Sequence, residues 1–224
     1  NEKQADSNTD LLLNFEQDAV VDVSGKYSVI SNSIRPSPKS AMGKKSGLSS
    51  GTKGLVLKGS PSSIFGSSGY KGSLTISFWM YPVLAESGEI IFSWRSSRNS
   101  LVYSTYQTIT ASVFNGKMEW RFANVFVNSD EKEKEILLTG RSTLIPNTWS
   151  HHCLVYNEDD GSMEYYINGL VEDSKYATDT LSSSPSVYRL FLGVPADIAV
   201  CPKFNGLIDD FAISAVSEKV SIYV

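Results

Sequence analysis

Cysteine is almost missing from this chain of 224 residues; Cys153 and Cys201 are the only two. A framework of several disulfides is thereby excluded, and none is needed, because a chain this long buries roughly 70% of its extended surface on folding. One bridge is conceivable. However, Cys153 lies in an apolar strand run and Cys201 beside Pro202, and both are read as buried free thiols. Histidine is as scarce. His151 and His152 are adjacent and would point to opposite faces of a strand, so no zinc site can be assembled from them and the cysteines. Uninterrupted apolar runs are only a few residues long, far short of the ~20 needed for a membrane-crossing helix. Basic residues do not dominate: 20 against 24 acidic leave a net charge of −4. That excess of acid argues against a nucleic-acid partner, whose footprint would be basic. Twelve asparagines form no Asn-x-Ser/Thr sequon, which leans towards a bacterial source. No signal-peptide pattern is read in residues 1–10. Residues 1–10 are polar throughout and are expected to form a flexible leader, such as processing leaves on an exported chain.

Serine and aromatic residues are plentiful, with 36 Ser and 25 Phe, Trp or Tyr. Hydroxyls and aromatics suit pleated strands and the turns between them, and an apolar content of 41% excludes disorder for the bulk of the chain. The clearest strand is 73–81, where Leu74, Ile76, Phe78 and Met80 alternate with Thr75, Ser77, Trp79 and Tyr81; Pro82 ends it. Further strands are expected at 11–16, 54–57, 89–94, 100–106, 108–114, 117–127, 150–157, 162–168, 170–172, 188–192 and 206–214. Asn115-Gly116 and Asn168-Gly169 mark two hairpins. The stretch 24–54, with Arg35, Lys39, Lys44, Lys45 and Lys53, reads as an irregular solvated loop, and 130–135 as a solvated turn of alternating charge. No long segment has helical period. Many short strands at hairpin spacing define an all-β, two-sheet antiparallel sandwich or jelly roll filling 11–224, with no second domain.

Six short patterns then occur in a familiar order. They are Asp22-Val23-Ser24-Gly25, Ser73-Leu74-Thr75-Ile76-Ser77-Phe78-Trp79, Thr148-Trp149-Ser150-His151 followed by Tyr156, Met163 to Gly169, Leu190-Phe191-Leu192-Gly193, and Phe204-Asn205-Gly206-Leu207-Ile208-Asp209-Asp210. Together they resemble the laminin-G-like, concanavalin A-like lectin and glucanase jelly rolls. The resemblance implies a fold used for lectins, adhesion modules and glycosidase appendages. It also implies that His151 is a structural histidine on a core strand, with His152 reaching the opposite surface. Finally, it implies one structural Ca²⁺ held between the front loop (Asp22, Gly25) and the closing strand (Asp209 or Asp210), the alternative being hydrogen bonds from backbone amides. An Asp in the alternation Leu207, Asp209, Phe211, Ile213 would sit on an apolar face and need such compensation.

Hydrolysis of a glycoside needs two carboxyls ~5 to 9 Å apart, one protonated and one ionised. No strand offers alternating acids; Asp209 and Asp210 are consecutive and expected on opposite faces, and no nucleophile elbow, metalloprotease or phosphate-loop motif is present. The chain therefore reads as non-catalytic. For ligand binding, Trp94, Arg95, Tyr103, Tyr106, Trp120 and Arg121 supply aromatic faces and guanidinium groups of the kind that recognise sugars, although Trp120 and Phe122 at i and i+2 also suit a core. The expected function is an exported binding module for a glycan. The alternative is a protein-docking or assembly module, which needs a broad apolar patch rather than an exposed aromatic with convergent polar groups.

Overall fold

A computed structural model describes residues 2–99, 104–178 and 186–223. In chain order its strands begin with β1 (Thr9–Leu13), β2 (Tyr27–Asn32), β3 (Arg35–Ser37), β4 (Ser46–Ser50), β5 (Leu55–Gly59) and β6 (Gly69–Tyr70). The middle of the chain supplies β7 (Leu74–Pro82), β8 (Ile90–Asn99), β9 (Ser104–Phe114), β10 (Lys117–Val127), β11 (Glu133–Thr139) and β12 (Ser150–Asn157). It closes with β13 (Ser162–Ile167), β14 (Leu170–Tyr176), β15 (Arg189–Leu192), β16 (Ile198–Lys203) and β17 (Asn205–Ser214). No helix occurs among the described residues.

Two antiparallel sheets form the sandwich. The eight-stranded sheet runs β14-β13-β12-β7-β17-β4-β3, with β1 paired to β17. The nine-stranded sheet runs β2-β5-β16-β8-β9-β10-β15-β6, with β11 paired to β10. Strand alternation decides which side chains meet between them. Leu74, Ile76, Phe78 and Met80 of β7 are buried as their spacing predicts, and Ile109, Ala111 and Val113 of β9 and Met118, Trp120 and Phe122 of β10 meet them from the other sheet. The centre is aromatic. Phe92 lies 5.9 Å from Phe211, Phe211 stacks 5.6 Å from Phe78, and Phe78 stacks 5.3 Å from His152.

Three expectations are corrected. The polar leader is not free over its whole length, since β1 begins at Thr9 and Asp10 is buried, accepting from Tyr27 Oη (2.6 Å) and Ile64 N (3.1 Å). The stretch 24–54 holds β2, β3 and β4; β2 and β3 are edge strands, which tolerate polar side chains, and Lys39, Lys44, Lys45 and Lys53 lie in the connections around β4. The charged tract 130–135 enters β11 at Glu133, whose carboxylate pairs with the buried guanidinium of Arg98.

The bridge between cysteines is not formed. Cys153 on β12 and Cys201 on β16 are both free and buried, in different sheets. Burial pushes the Cys153 thiol up to about 12 and raises that of Cys201 as well. Since the thiolate is the reactive form, neither should react with Ellman's reagent at pH 8 until the protein is unfolded; rapid native labelling of one thiol would contradict the burial. In the core, Phe211→Ala should destabilise by about 3–5 kcal/mol in denaturant unfolding, the range for truncating a buried phenylalanine.

Candidate ligand-binding site

Alternation on β8, β9 and β10 sends one set of side chains to the core and the other outwards. Trp94 and Trp120 belong to the first set: they are 1% and 0% exposed, and neither can offer a ring face to a ligand. Trp94 packs 5.7 Å from Phe65, and Trp120 lies 6.1 Å from Phe78. Both are therefore withdrawn from the candidate site. Tyr103 lies outside the described residues.

The outward set contains Arg95, Tyr106 and Arg121. Register places Arg95 opposite Thr108, Ser97 opposite Tyr106, and Ser93 opposite Thr110, which is in turn opposite Arg121. Arg95 and Arg121 are two strands and two residues apart, about 12 Å at ordinary strand spacing and rise. Between them the face carries hydroxyls from Ser93, Thr108 and Thr110. Tyr106 is 81% exposed. Its backbone is nevertheless fixed: its carbonyl accepts from Asn124 Nδ2 (2.8 Å). The next residue, Gln107, is buried, donating to Asn124 O and Phe191 O (2.9 Å each) and accepting from Gly193 N (2.7 Å). Arg121 forms an exposed ion pair with Glu135 of β11, a contact of small net value that a ligand can reorganise. The result is a hydroxyl-rich surface on an ordered backbone that carries the bare Tyr106 ring and two guanidinium groups.

The residues assigned to calcium do not come together as a cation site. Asp22 accepts five hydrogen bonds, from the amides of Leu12, Ser24, Lys26 and Tyr27 and from Ser24 Oγ, at 2.7–3.0 Å. Gly25 provides the left-handed residue (φ 74°) of that turn, which also brings its amide onto Asp22 O (3.1 Å). Asp209 Oδ2 accepts from Ala41 N and Met42 N, both at 3.0 Å, and its Oδ1 from Asp210 N (2.9 Å). Donor hydrogens aimed at these oxygens repel a cation, and among the described residues no three His, Cys, Asp or Glu side chains gather as ligands. Backbone amides donate to both side chains.

The expected alternation along β17 also fails. Asp209 is opposite Trp79, but Ala212 is opposite Ser77, so the register slips between them. Asp210 takes φ 42°, the left-handed region. This β-bulge re-aims side chains. Phe211 turns into the core, while Asp209 and Asp210 both lie on the outward side of the eight-stranded sheet, where burial raises them to about 7 and about 6. The two histidines are likewise reversed. His152 is the core residue, 0% exposed and bonded to Tyr165 Oη and Ser150 Oγ (2.8 Å each). His151 faces outwards beside Trp79 and Tyr223. Burial lowers them to about 4 (His151) and about 3 (His152). Trp79, His151 and Asp210 line a cavity on this sheet that residue spacing gave no means of finding, because its assembly depends on the bulge.

The chain matches the Concanavalin A-like lectin/glucanases superfamily, laminin-G type, over residues 59–218. It belongs to that family. Among solved structures it is similar to domain 4 of AbnA, an extracellular arabinanase from Geobacillus stearothermophilus, solved in complex with arabinotriose. The identity is 15% and the TM-score 0.61, with 96% of this chain and 94% of that one covered. It is also similar to the binding domain of botulinum neurotoxin serotype D (17% identity, TM-score 0.62, covering 94% of this chain and 48% of that one). The binding domain of Paraclostridial Mosquitocidal Protein 1 is comparable, at 17% identity and TM-score 0.58, covering 94% and 49%. The chain thus spans about half the length of the two toxin binding domains. At these identities the likeness is one of fold. No curated protein matches the chain in sequence.

The titrating groups make opposed contributions to stability. Asp209 and Asp210, raised from an ordinary 3.8, favour folding when protonated; their contribution is complete below about pH 4 and lost as pH rises through 6 and 7. His151 and His152, lowered from 6.5, favour folding when neutral; theirs is complete above about pH 6.5 and lost as pH falls through 4 and 3. The melting temperature should accordingly change little between about pH 4.5 and 6.5. Asp209→Asn removes one opposing group, so its melting temperature should climb with pH across the same window. A variant profile as flat as the parent's would mean that Asp209 ionises normally in the fold.

Proposed function

We propose that this protein is a non-catalytic, exported module that binds a glycan on the outward face of its nine-stranded sheet. The observation that carries this reading is the bare ring of Tyr106, 81% exposed on a fixed backbone, on the same face as Arg95 and Arg121. A pyranose or furanose ring has an apolar C–H side that suits an aromatic face, and guanidinium groups donate in a planar fork to ring hydroxyls. The about 12 Å between the two arginines matches an oligosaccharide better than one sugar. The whole-domain likeness to an arabinanase domain solved with arabinotriose supports the ligand class, and the family supports the scaffold. Catalysis is disfavoured by geometry: Asp209, the acid beside Asp210, is tied by its oxygens to three backbone amides and turned onto the segment between β3 and β4.

A second reading is favoured by one feature. Ile145, Leu170 and Val171 are 66%, 63% and 48% exposed, and the first two flank half-buried Trp149 in a groove of about 240 Å³ at the Asn168-Gly169 hairpin. Such a patch suits docking of another protein chain.

A glycan array followed by calorimetry on the best oligosaccharide separates the two. Tyr106→Ala should weaken binding by about tenfold or more, the loss expected when an aromatic contact worth about 1–1.5 kcal/mol and its buried area are removed. Arg95→Ala should weaken it less, and Ile145→Asp not at all. Because Tyr106 is exposed, its replacement should leave stability within about 0.5 kcal/mol. An array without binders, or binding indifferent to Tyr106 and Arg95, would overturn the sheet-face reading.

A further inference from the structure

The outward face of the eight-stranded sheet is crossed by residues 215–223. Thr75 Oγ1 donates to Val216 O (2.7 Å) and accepts from Glu218 N (2.9 Å) at one end, and Tyr223 N donates to Asn168 O (3.1 Å) at the other. Between these anchors the segment and the sheet enclose a cavity of about 320 Å³, at the small end of the range occupied by ligand pockets. Its aromatic wall is a cluster of three rings: Tyr223 lies 4.9 Å from Trp79 and 4.6 Å from His151. Asp210 is set into it by the bulge of β17, and Lys3 and Glu218 approach each other to 3.8 Å at its rim.

The lining is balanced in charge: Lys3 and Lys219 stand with Asp210 and Glu218, Lys3 and Glu218 being 3.8 Å apart, while burial lowers His151 to about 4 and keeps its ring neutral near pH 7. An anion would meet two carboxyl groups and a cation two ammonium groups, so a neutral ligand suits the cavity best. The lining joins polar groups to an aromatic wall, a combination that suits a molecule carrying both hydroxyls and C–H groups. His151 Nδ1 is buried at this wall without a hydrogen-bond partner among the protein groups.

We propose that the cavity beneath residues 215–223 is a second binding site, distinct from the Tyr106 face, for a single neutral sugar ring packed in the corner of Trp79 and Tyr223 and hydrogen-bonded to Asp210. The proposal rests on the glycan reading for the class of its ligand but not for its place.

The test uses the four tryptophan indole N–H signals in a proton–nitrogen correlation spectrum. Trp79→Phe identifies the relevant one. Arabinose, galactose, glucose, mannose and xylose are each titrated to about 50 mM, enough to fill a site of millimolar affinity. At least one sugar should shift the Trp79 indole saturably, and the shift should survive Tyr106→Ala. Asp210→Ala should abolish it, and Tyr223→Ala, which changes a residue 37% exposed and leaves the core intact, should weaken it several-fold. If all five sugars leave the Trp79 indole unmoved while Tyr106-dependent oligosaccharide binding persists, the cavity is not a sugar site and the sheet-face reading stands. If the Trp79 indole shifts and no Tyr106-dependent binding exists, the cavity stands and the sheet-face reading falls. No response at either place overturns both.

Discussion

The left-handed kink of β17 at Asp210 is the constraint on which both faces of the eight-stranded sheet depend. A residue period of two would have put Asp209 and Phe211 on one side, leaving a carboxylate in the core or a phenylalanine in water. The extra residue resolves the conflict. Phe211 enters the core, where it stands 5.6 Å from Phe78 and 5.9 Å from Phe92 and so joins the two sheets. Asp209 turns out to hold the amides of Ala41 and Met42, fixing the turn between β3 and β4. Asp210 faces the cavity beneath residues 215–223. One backbone irregularity thus supplies a core contact, a loop anchor and a polar group on the cavity wall.

The rest of the sandwich gives the Tyr106 face its rigidity. Large buried rings on β8 and β10 hold the inner side of the nine-stranded sheet, and buried Gln107 ties β9 to Asn124 and to β15 on the residue next to Tyr106. A ligand meeting that face finds the aromatic ring on a backbone already ordered, and little entropy is lost in arranging the site. The cost of order has been met by the core. Affinity on such a face is then set by a few outward side chains, which vary without disturbing the fold. This is how one jelly roll serves many ligands.

Much of the fold was legible because strand period writes itself directly into residue type. Leu74, Ile76, Phe78 and Met80 declare their face, the Asn-Gly pairs declare two hairpins, and six short patterns in order identify the family. What could not be read are the places where the backbone departs from its period or where partners are far apart in sequence. The bulge at Asp210 separated Asp209 from Phe211: Phe211 keeps the apolar face, and Asp209 leaves it. His151 and His152 alternate as expected, but only their pairing with Trp79 and Phe78 on β7 tells which one enters the core. Asp22 resembles a calcium ligand in isolation; its amide donors from Leu12 and Tyr27 become visible only once β1 lies beside the turn. In the candidate site, Arg95, Tyr106 and Arg121 were found by residue type, whereas Trp94 and Trp120, of equally suitable type, belong to the core by parity alone.

The central claim is that a glycan lies across the outward face of the nine-stranded sheet. A crystal structure of the protein with the best oligosaccharide from the array tests it most directly. The account predicts a sugar ring packed on Tyr106, with the chain running between Arg95 and Arg121. An oligosaccharide seated instead in the groove beside Ile145 and Leu170, with the Tyr106 face bare, would contradict it.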